Sequence, residues 1–350
     1  LGIWQAAPTA RGKSGVSGRL AQRKEHVVTE RFWMSGTRIV ACTLAMLIPA
    51  PAMAQNAPPP TPIRVASLGY TEASILPVYA QQTGIFKKYG LDASLTSFNG
   101  GGAIIAAIAG GSLDAGFSNI TSAVSAIQRG IPIIVLTAAN LTSTANSDAQ
   151  LMKARGSKLK SGADLTGKII AVTTLGGTLQ LGAEQWIDKN GGDSKSVHFV
   201  EVPSSNMAAA LKQGRIDAAM MSEPFLTEET ADVEVLANAF AAIAPEWISA
   251  VFVASKAWVT ANPDAARRFV AAMHETGRWA NAHHTETATI LSPLSGVPLA
   301  TFTAMKRTAY TDKLTRALMQ PGIDAAVRYG ALKAPFDTGE IVTDAAPYVK

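Results

Sequence analysis

The sequence has 350 residues, 47% of them apolar and 16% charged, which is length enough for two domains with buried cores. Its formal charge of +5 is concentrated at the front: residues 1–54 hold seven of the 31 basic and two of the 26 acidic residues, leaving 24 of each afterwards. A body without net charge has no electrostatic footprint for nucleic acid or an anionic membrane, and both are excluded as partners.

From Met34 the chain reads as a leader. MSGTR is a short basic segment, IVACTLAMLI is an apolar run of ten residues, and PAPAMA places small residues at Ala52 and Ala54. This is the layout of a secretory signal peptide over 34–54, cleaved before Gln55, whereas a spanning helix needs about 20 apolar residues. Residues 1–33 lack that layout and are read as an over-extended gene start, upstream of the true one at Met34. Cys42, the single cysteine, lies inside the apolar run with the apolar stretch after it, the wrong side for lipid attachment. Removing the leader removes every thiol, and with it disulfides, a thiolate nucleophile and Cys-ligated metal. QNAPPPT (55–61) is then a Pro-rich tether. The expected location is the periplasm.

IRVASLG (63–69) predicts a strand, SILPVYAQQTGIFKKYG (74–90) an amphipathic helix and LDASLTSF (91–98) an alternating strand. NGGG opens the small-residue helix AIIAAIAGG, LDAGFS is a short strand, NITSAVSAIQRG a helix, and IPIIVLTAA (131–139) a buried strand. Strands alternating with helices predict parallel βαβ units. The order then repeats. KIIAVTTLGG (168–177) predicts a strand, TLQLGAEQWIDKNGG a helix, VHFVEV (197–202) a strand, PSSNMAAALKQG a helix and RIDAAMMS a strand. SEPFLTEETA follows as a helix, with Ser222 as N-cap and Pro224 in its first turn. The first copy's GSLDA and the second's GRIDA lie 103 residues apart. Asp114 and Asp217 are read as structural, ordering the turn from helix to strand after Gly111 and Gly214. The chain therefore holds two similarly built α/β lobes. SAVFVAS and a helix beginning near Pro263 follow, and the helical tail returns to complete the first lobe. Lobe 1 is placed at 62–140 and 250–350, lobe 2 at 141–249.

In open parallel sheets, ligands sit beyond the carboxyl ends of strands, where helix N-termini present free N–H groups. Six such segments occur here. They hold Gly69, Tyr70, Thr71 and Ser74; Asn99, Gly100 and Gly101; Ser118, Asn119 and Thr121; Leu175, Gly176, Gly177 and Thr178; Ser205 and Asn206; and Ser222 and Glu223. They are rich in Gly, Ser, Thr and Asn, carry the carboxylates of Glu72 and Glu223, and contain no Lys or Arg. Ser and Asn at such junctions serve equally as N-caps, and Glu223 is either a ligand contact or a helix-end residue. No GxSxG, HExxH or GxxxxGK[ST] is present. His283 and His284 read as a solvated helix end and His198 as a strand residue. Neither a cofactor nor a metal is expected.

AQQTGIFKKYGLDASLTSFNGG, AGGSLDAGFSN, GKIIAVTTLGG, QGRIDAAMMSEPF and FVASKAWVTANPDAARRF resemble the substrate-binding proteins of ABC importers. The resemblance covers about 62–340. It is closest to the nitrate/sulfonate/taurine branch, which also includes binders and synthases of the thiamine pyrimidine precursor. It implies a type II periplasmic-binding fold, α/β, with two lobes joined by crossover strands near 136–140 and 249–254, closing on a ligand by hinge motion. The six segments then face one cleft. The resemblance further implies a monomer that binds a small-molecule ligand and delivers it to an inner-membrane ABC permease. The pyrimidine synthases carry a cysteine-rich motif and remain cytoplasmic, and this chain has neither trait, so no enzyme is expected. A nitrate, sulfonate or taurine-like solute is the first expectation. A pyrimidine precursor or related nitrogenous or aromatic solute is the alternative, since Glu72 and Glu223 would repel a simple anion. A ligand-sensing module would share all these features.

Overall fold

A computed structural model describes residues 59–229 and 231–338. The expected signal peptide, its cleavage point and most of the tether lie outside the described residues. In chain order the elements are β1 (Thr61–Leu68), α1 (Leu76–Gln82), α2 (Ile85–Lys88), β2 (Leu91–Phe98), α3 (Gly101–Ala109), β3 (Ala115–Asn119), α4 (Ile120–Gln128) and β4 (Ile133–Ser143). There follow β5 (Ala149–Ala154), β6 (Ile169–Val172), α5 (Thr178–Lys189), β7 (His198–Glu201), α6 (Ser204–Lys212), β8 (Ala218–Ser222), α7 (Phe225–Glu228) and β9 (Val233–Ala237). The chain closes with β10 (Glu246–Ser255), α8 (Lys256–Ala261), α9 (Pro263–Ala282), α10 (His284–Ser295), α11 (Leu299–Ala304) and α12 (Arg316–Arg328).

Two five-stranded sheets result, ordered β2-β1-β3-β10-β4 and β7-β6-β8-β5-β9. Position by position they match. In each, three strands run parallel and the fourth is antiparallel to both its neighbours. That fourth strand always arrives from the other half of the chain: β5 follows β4 of the first sheet, and β10 follows β9 of the second. The crossovers are expected near 136–140 and 249–254, and the chain crosses beside both stretches. Both stretches lie inside the first sheet, bonded to one another along β4 and β10. The chain changes sheets just beyond them, at 144–148 and 238–245.

The repeated Gly and Asp have a common task. Gly111 and Gly214 stand at φ +76° and +65°, left-handed values that end α3 and α6 and that only glycine adopts without strain. Three residues on, Asp114 donates its N–H to Arg64 O (2.9 Å) and accepts from Arg64 N (2.8 Å). Asp217 does the same with Ile169, at 2.8 Å and 2.9 Å. Each aspartate thus ties the third strand of its sheet to the second, where a side chain extends the backbone ladder.

Three sequence expectations change. The helix over 74–90 is two, interrupted by Gly84 at φ +74°. Ser222 is not an N-cap: it is the last residue of β8, paired with Ala149, and α7 spans only four residues. The tail returns to the first lobe, but α12 also packs on α5 of the second. Trp247 of β10 is fully buried there, packed edge-on against Phe240 at 5.2 Å. Gly322 of α12 leaves room for it, since a Cβ would lie 2.9 Å from the indole.

Candidate ligand-binding site

The site forms where strand ends of the two sheets face one another. β3 ends at Asn119, whose side chain accepts from Ser122 N and from Thr121 Oγ1, both at 2.8 Å, capping α4. α3 and α5 begin after Gly100 and Gly177, with no side-chain cap. The two lobes touch here: Thr121 Oγ1 donates to Gly176 O across the gap (3.2 Å). A Cβ at Gly177 would lie 3.1 Å from Asn119 Nδ2, so glycine at this position permits the approach.

Behind this contact lies a cavity of about 70 Å³, lined from both lobes by Thr71, Gly101, Phe117, Asn119, Asn140 and Ser249 on one side and Asp148, Thr173, Thr174, Gly177, Thr178, Ser222 and Phe240 on the other. A second cavity of about 190 Å³ adjoins it, sharing Leu68, Thr71 and Thr173 and lined further by Gly69, Tyr70, Ser97, Asn99, Ser204, Ser205 and Phe225. Of the residues proposed from the sequence, six line the smaller cavity: Thr71, Gly101, Asn119, Gly177, Thr178 and Ser222. Gly69, Tyr70, Asn99 and Ser205 line the larger.

The other eight line neither cavity. Ser74 and Ser118 are fully buried and donate to Leu68 O and Asn119 O. Thr121 is spent on Asn119 and Gly176, Gly100 is the N-cap of α3, and Gly176 donates to Gln180 Oε1. Leu175 and Asn206 are exposed. Glu223 is buried, but its carboxylate accepts from Thr227 N (3.1 Å) and Thr227 Oγ1 (2.8 Å).

Sequence reasoning missed Asp148, the one charged residue among the described residues that line either cavity. It precedes β5, a strand that the repeat did not reveal, and its carbonyl accepts from Glu223 N (2.8 Å). Its carboxylate accepts from Thr308 Oγ1 in the tail. Burial pushes Asp148 above the ordinary carboxylate range. Asn140 and Ser249 were also missed. Their side chains bond at 3.1 Å, and Thr142 joins them. They sit on the two long strands of the first sheet, which read as uniformly buried.

Around Asp148 the lobes are knotted through the tail. Glu72 is 1% exposed and is held by Arg307 Nε (2.6 Å), Arg307 Nη2 and Thr308 N (2.9 Å). Burial raises its pKa, against the pull of Arg307. Tyr310 Oη donates to Glu72 O (2.5 Å), and Glu72 N to Glu223 O of the second lobe (3.3 Å). Burial, with Asp148 nearby, brings Glu223 to about 7. Of these three buried carboxyls Arg307 pairs with Glu72, while Asp148 and Glu223 are held by Thr308 Oγ1 and by Thr227.

Comparison with known proteins places this architecture. A Brucella abortus protein that carries a provisional name as a binding protein is 26% identical over 321 residues, covering 87% of this chain and 96% of its own. The nitrate-binding protein NrtA from Synechocystis superposes with a TM-score of 0.68 at 18% identity, over 84% of this chain and 88% of NrtA. The alkanesulfonate-binding protein SsuA from Xanthomonas axonopodis, bound to MOPS, gives 0.67 at 18%, over 81% and 99%. The desulfurization enzyme DSZB gives 0.59 at 15%, over 83% and 97%, so the fold also hosts catalysis. The fold is that of the periplasmic binding proteins, as the resemblance implied. A family model matches residues 56–292, and the chain belongs to the NMT1-like family.

Proposed function

We propose that this protein is the periplasmic solute-binding component of an ABC importer, a monomer that closes its lobes on a small organic solute, passes it to a permease and does no chemistry on it. Asp148 carries the choice of solute. Among the described residues, Asp148 is the lone charged residue in the lining of the two cavities, which holds no Lys or Arg. A bare anion such as nitrate would meet that charge unneutralised, whereas an ammonium or N–H donor would pair with it. Within the nitrate/sulfonate/taurine class this favours a taurine-like zwitterion. The same observation favours the nitrogenous alternative, an aminopyrimidine-like solute.

Calorimetric titration with taurine, ethanesulfonate, nitrate and an aminopyrimidine checks this. Taurine or the aminopyrimidine is expected to bind at least tenfold tighter than ethanesulfonate or nitrate, and a preference for the bare anions would overturn the reading. Mass spectrometry of the solute after incubation should return it unchanged, and turnover would make the protein an enzyme.

A further inference from the structure

Resting on that reading, we infer that the larger cavity is the second half of the same site and takes an anionic end of the solute, while Asp148 takes its amino end. The two cavities share Leu68, Thr71 and Thr173, so one solute can occupy both. The larger is where α6 begins. Ser204 lines it and is 6% exposed, and its Oγ is buried without a hydrogen-bond partner. Pro203 precedes it, and no side chain caps the helix. A buried hydroxyl that finds no acceptor is costly to keep. It also sits at the positive end of a nine-residue helix. Both features ask for the same partner, an oxygen with negative charge. No Lys or Arg lines the cavity, which suits a singly charged sulfonate or carboxylate better than a phosphate dianion.

Two aromatic side chains also belong to the lining of the larger cavity. Tyr70 comes from the first lobe and Phe225 from the second, and both line the larger cavity. The solute class that fits is an amino-aryl or longer-chain amino sulfonate or carboxylate: N–H donors at Asp148, a planar or apolar spacer beside Tyr70 and Phe225, and the acid group at Ser204. Taurine is too short to use both ends.

The test is calorimetric titration of the full mature chain with 4-(aminomethyl)benzenesulfonate and with taurine. Wild type should bind the aromatic probe at least tenfold tighter. Ser204→Ala should weaken the aromatic probe about five- to tenfold, the loss of one hydrogen bond to a charged group, and leave taurine within twofold. Ser204→Asp, which places an acid where a helix N-terminus tolerates it, should weaken the aromatic probe more than tenfold. Melting of both variants without solute confirms that they fold. Equal effects on both probes, no effect on either, or an aromatic probe that binds no tighter than taurine would overturn the inference. Taurine binding that depends on Asp148 would leave the import reading standing in each of those cases.

Discussion

At Glu223 the sequence points to a strand end beside the cavities, and the charged residue that lines them there is Asp148. Glu223 was legible because an acid beside a proline at a strand end has no propensity reason to be there. Its helix-end alternative is what the geometry displays, in the two bonds to Thr227. Asp148 was not legible. It lies 75 residues away in sequence and reaches the site only because β5 pairs antiparallel with β8, setting Ala149 opposite Ser222. Arg307 was hidden likewise, since it meets Glu72 across 235 residues. The two acids therefore make opposite predictions. Removing a charge that pairs with a bound donor costs about 1.5–3 kcal/mol, roughly ten- to a hundredfold in Kd. Asp148→Asn should weaken an amine-bearing solute by that factor, and Glu223→Gln should leave its Kd within about threefold. Titrating both variants decides, and the reverse ranking would return the site to Glu223.

Among the elements, the parallel βαβ strands and β10 were readable, and the antiparallel pair β5 and β9 was not. Each lobe's first three strands recur with their helices in the same order, and the glycine stops mark their ends. β5 and β9 break that rhythm because they pair antiparallel beside the parallel strands, and β5 buries Lys153 against Ser157 O and Leu159 O. A buried lysine in a six-residue strand masks its pattern. The repeated aspartates show what the recurrence is for. Each accepts a strand N–H that would otherwise lose its partner, and such a loss costs about 1–3 kcal/mol when buried. Arg64 adds an ion pair to Asp114, but its side chain is 48% exposed, so that pair contributes little. Asp217 has an exposed ion pair too, with Lys168 at 3.4 Å, so Asp114→Ala and Asp217→Ala should each destabilise by about 1–3 kcal/mol in denaturant unfolding, with similar size whether the partner is arginine or lysine. A loss at Asp114 several times that at Asp217 would mean that the arginine's ion pair, not the strand bond, is what matters.

For the whole molecule, the exchange of fourth strands puts both chain crossings side by side. Thr144 N donates to Pro245 O (2.9 Å), and Asn238 Nδ2 to Thr144 O (3.2 Å). The first crossing runs directly into Asp148, so the carboxyl proposed to meet the solute also stands at the joint between the lobes. Glu72 and Glu223 flank it there, and burial raises all three pKa values. A carboxyl whose folded pKa is raised contributes stability that is present below its unfolded pKa and lost as pH rises through the folded one. For Glu223 that window runs from the ordinary glutamate value of 4.5 to about 7. Glu184 on α5, half-paired with Gln180, is pushed by burial to about 7 as well. The melting temperature of the solute-free protein should thus fall as pH rises from 5 to 8. Glu223→Gln and Glu184→Gln should each flatten part of that fall by keeping a neutral amide where the acid must otherwise ionise in a buried place. An amine-bearing solute should raise stability more at the higher pH, because Asp148, held above the ordinary carboxylate range by burial, must ionise to pair with it. Melting curves at the two pH values, with and without solute, check both halves. A stability that rises from pH 5 to 8 in the free protein, unchanged by either glutamine, would mean that these carboxyls ionise without cost in the folded chain.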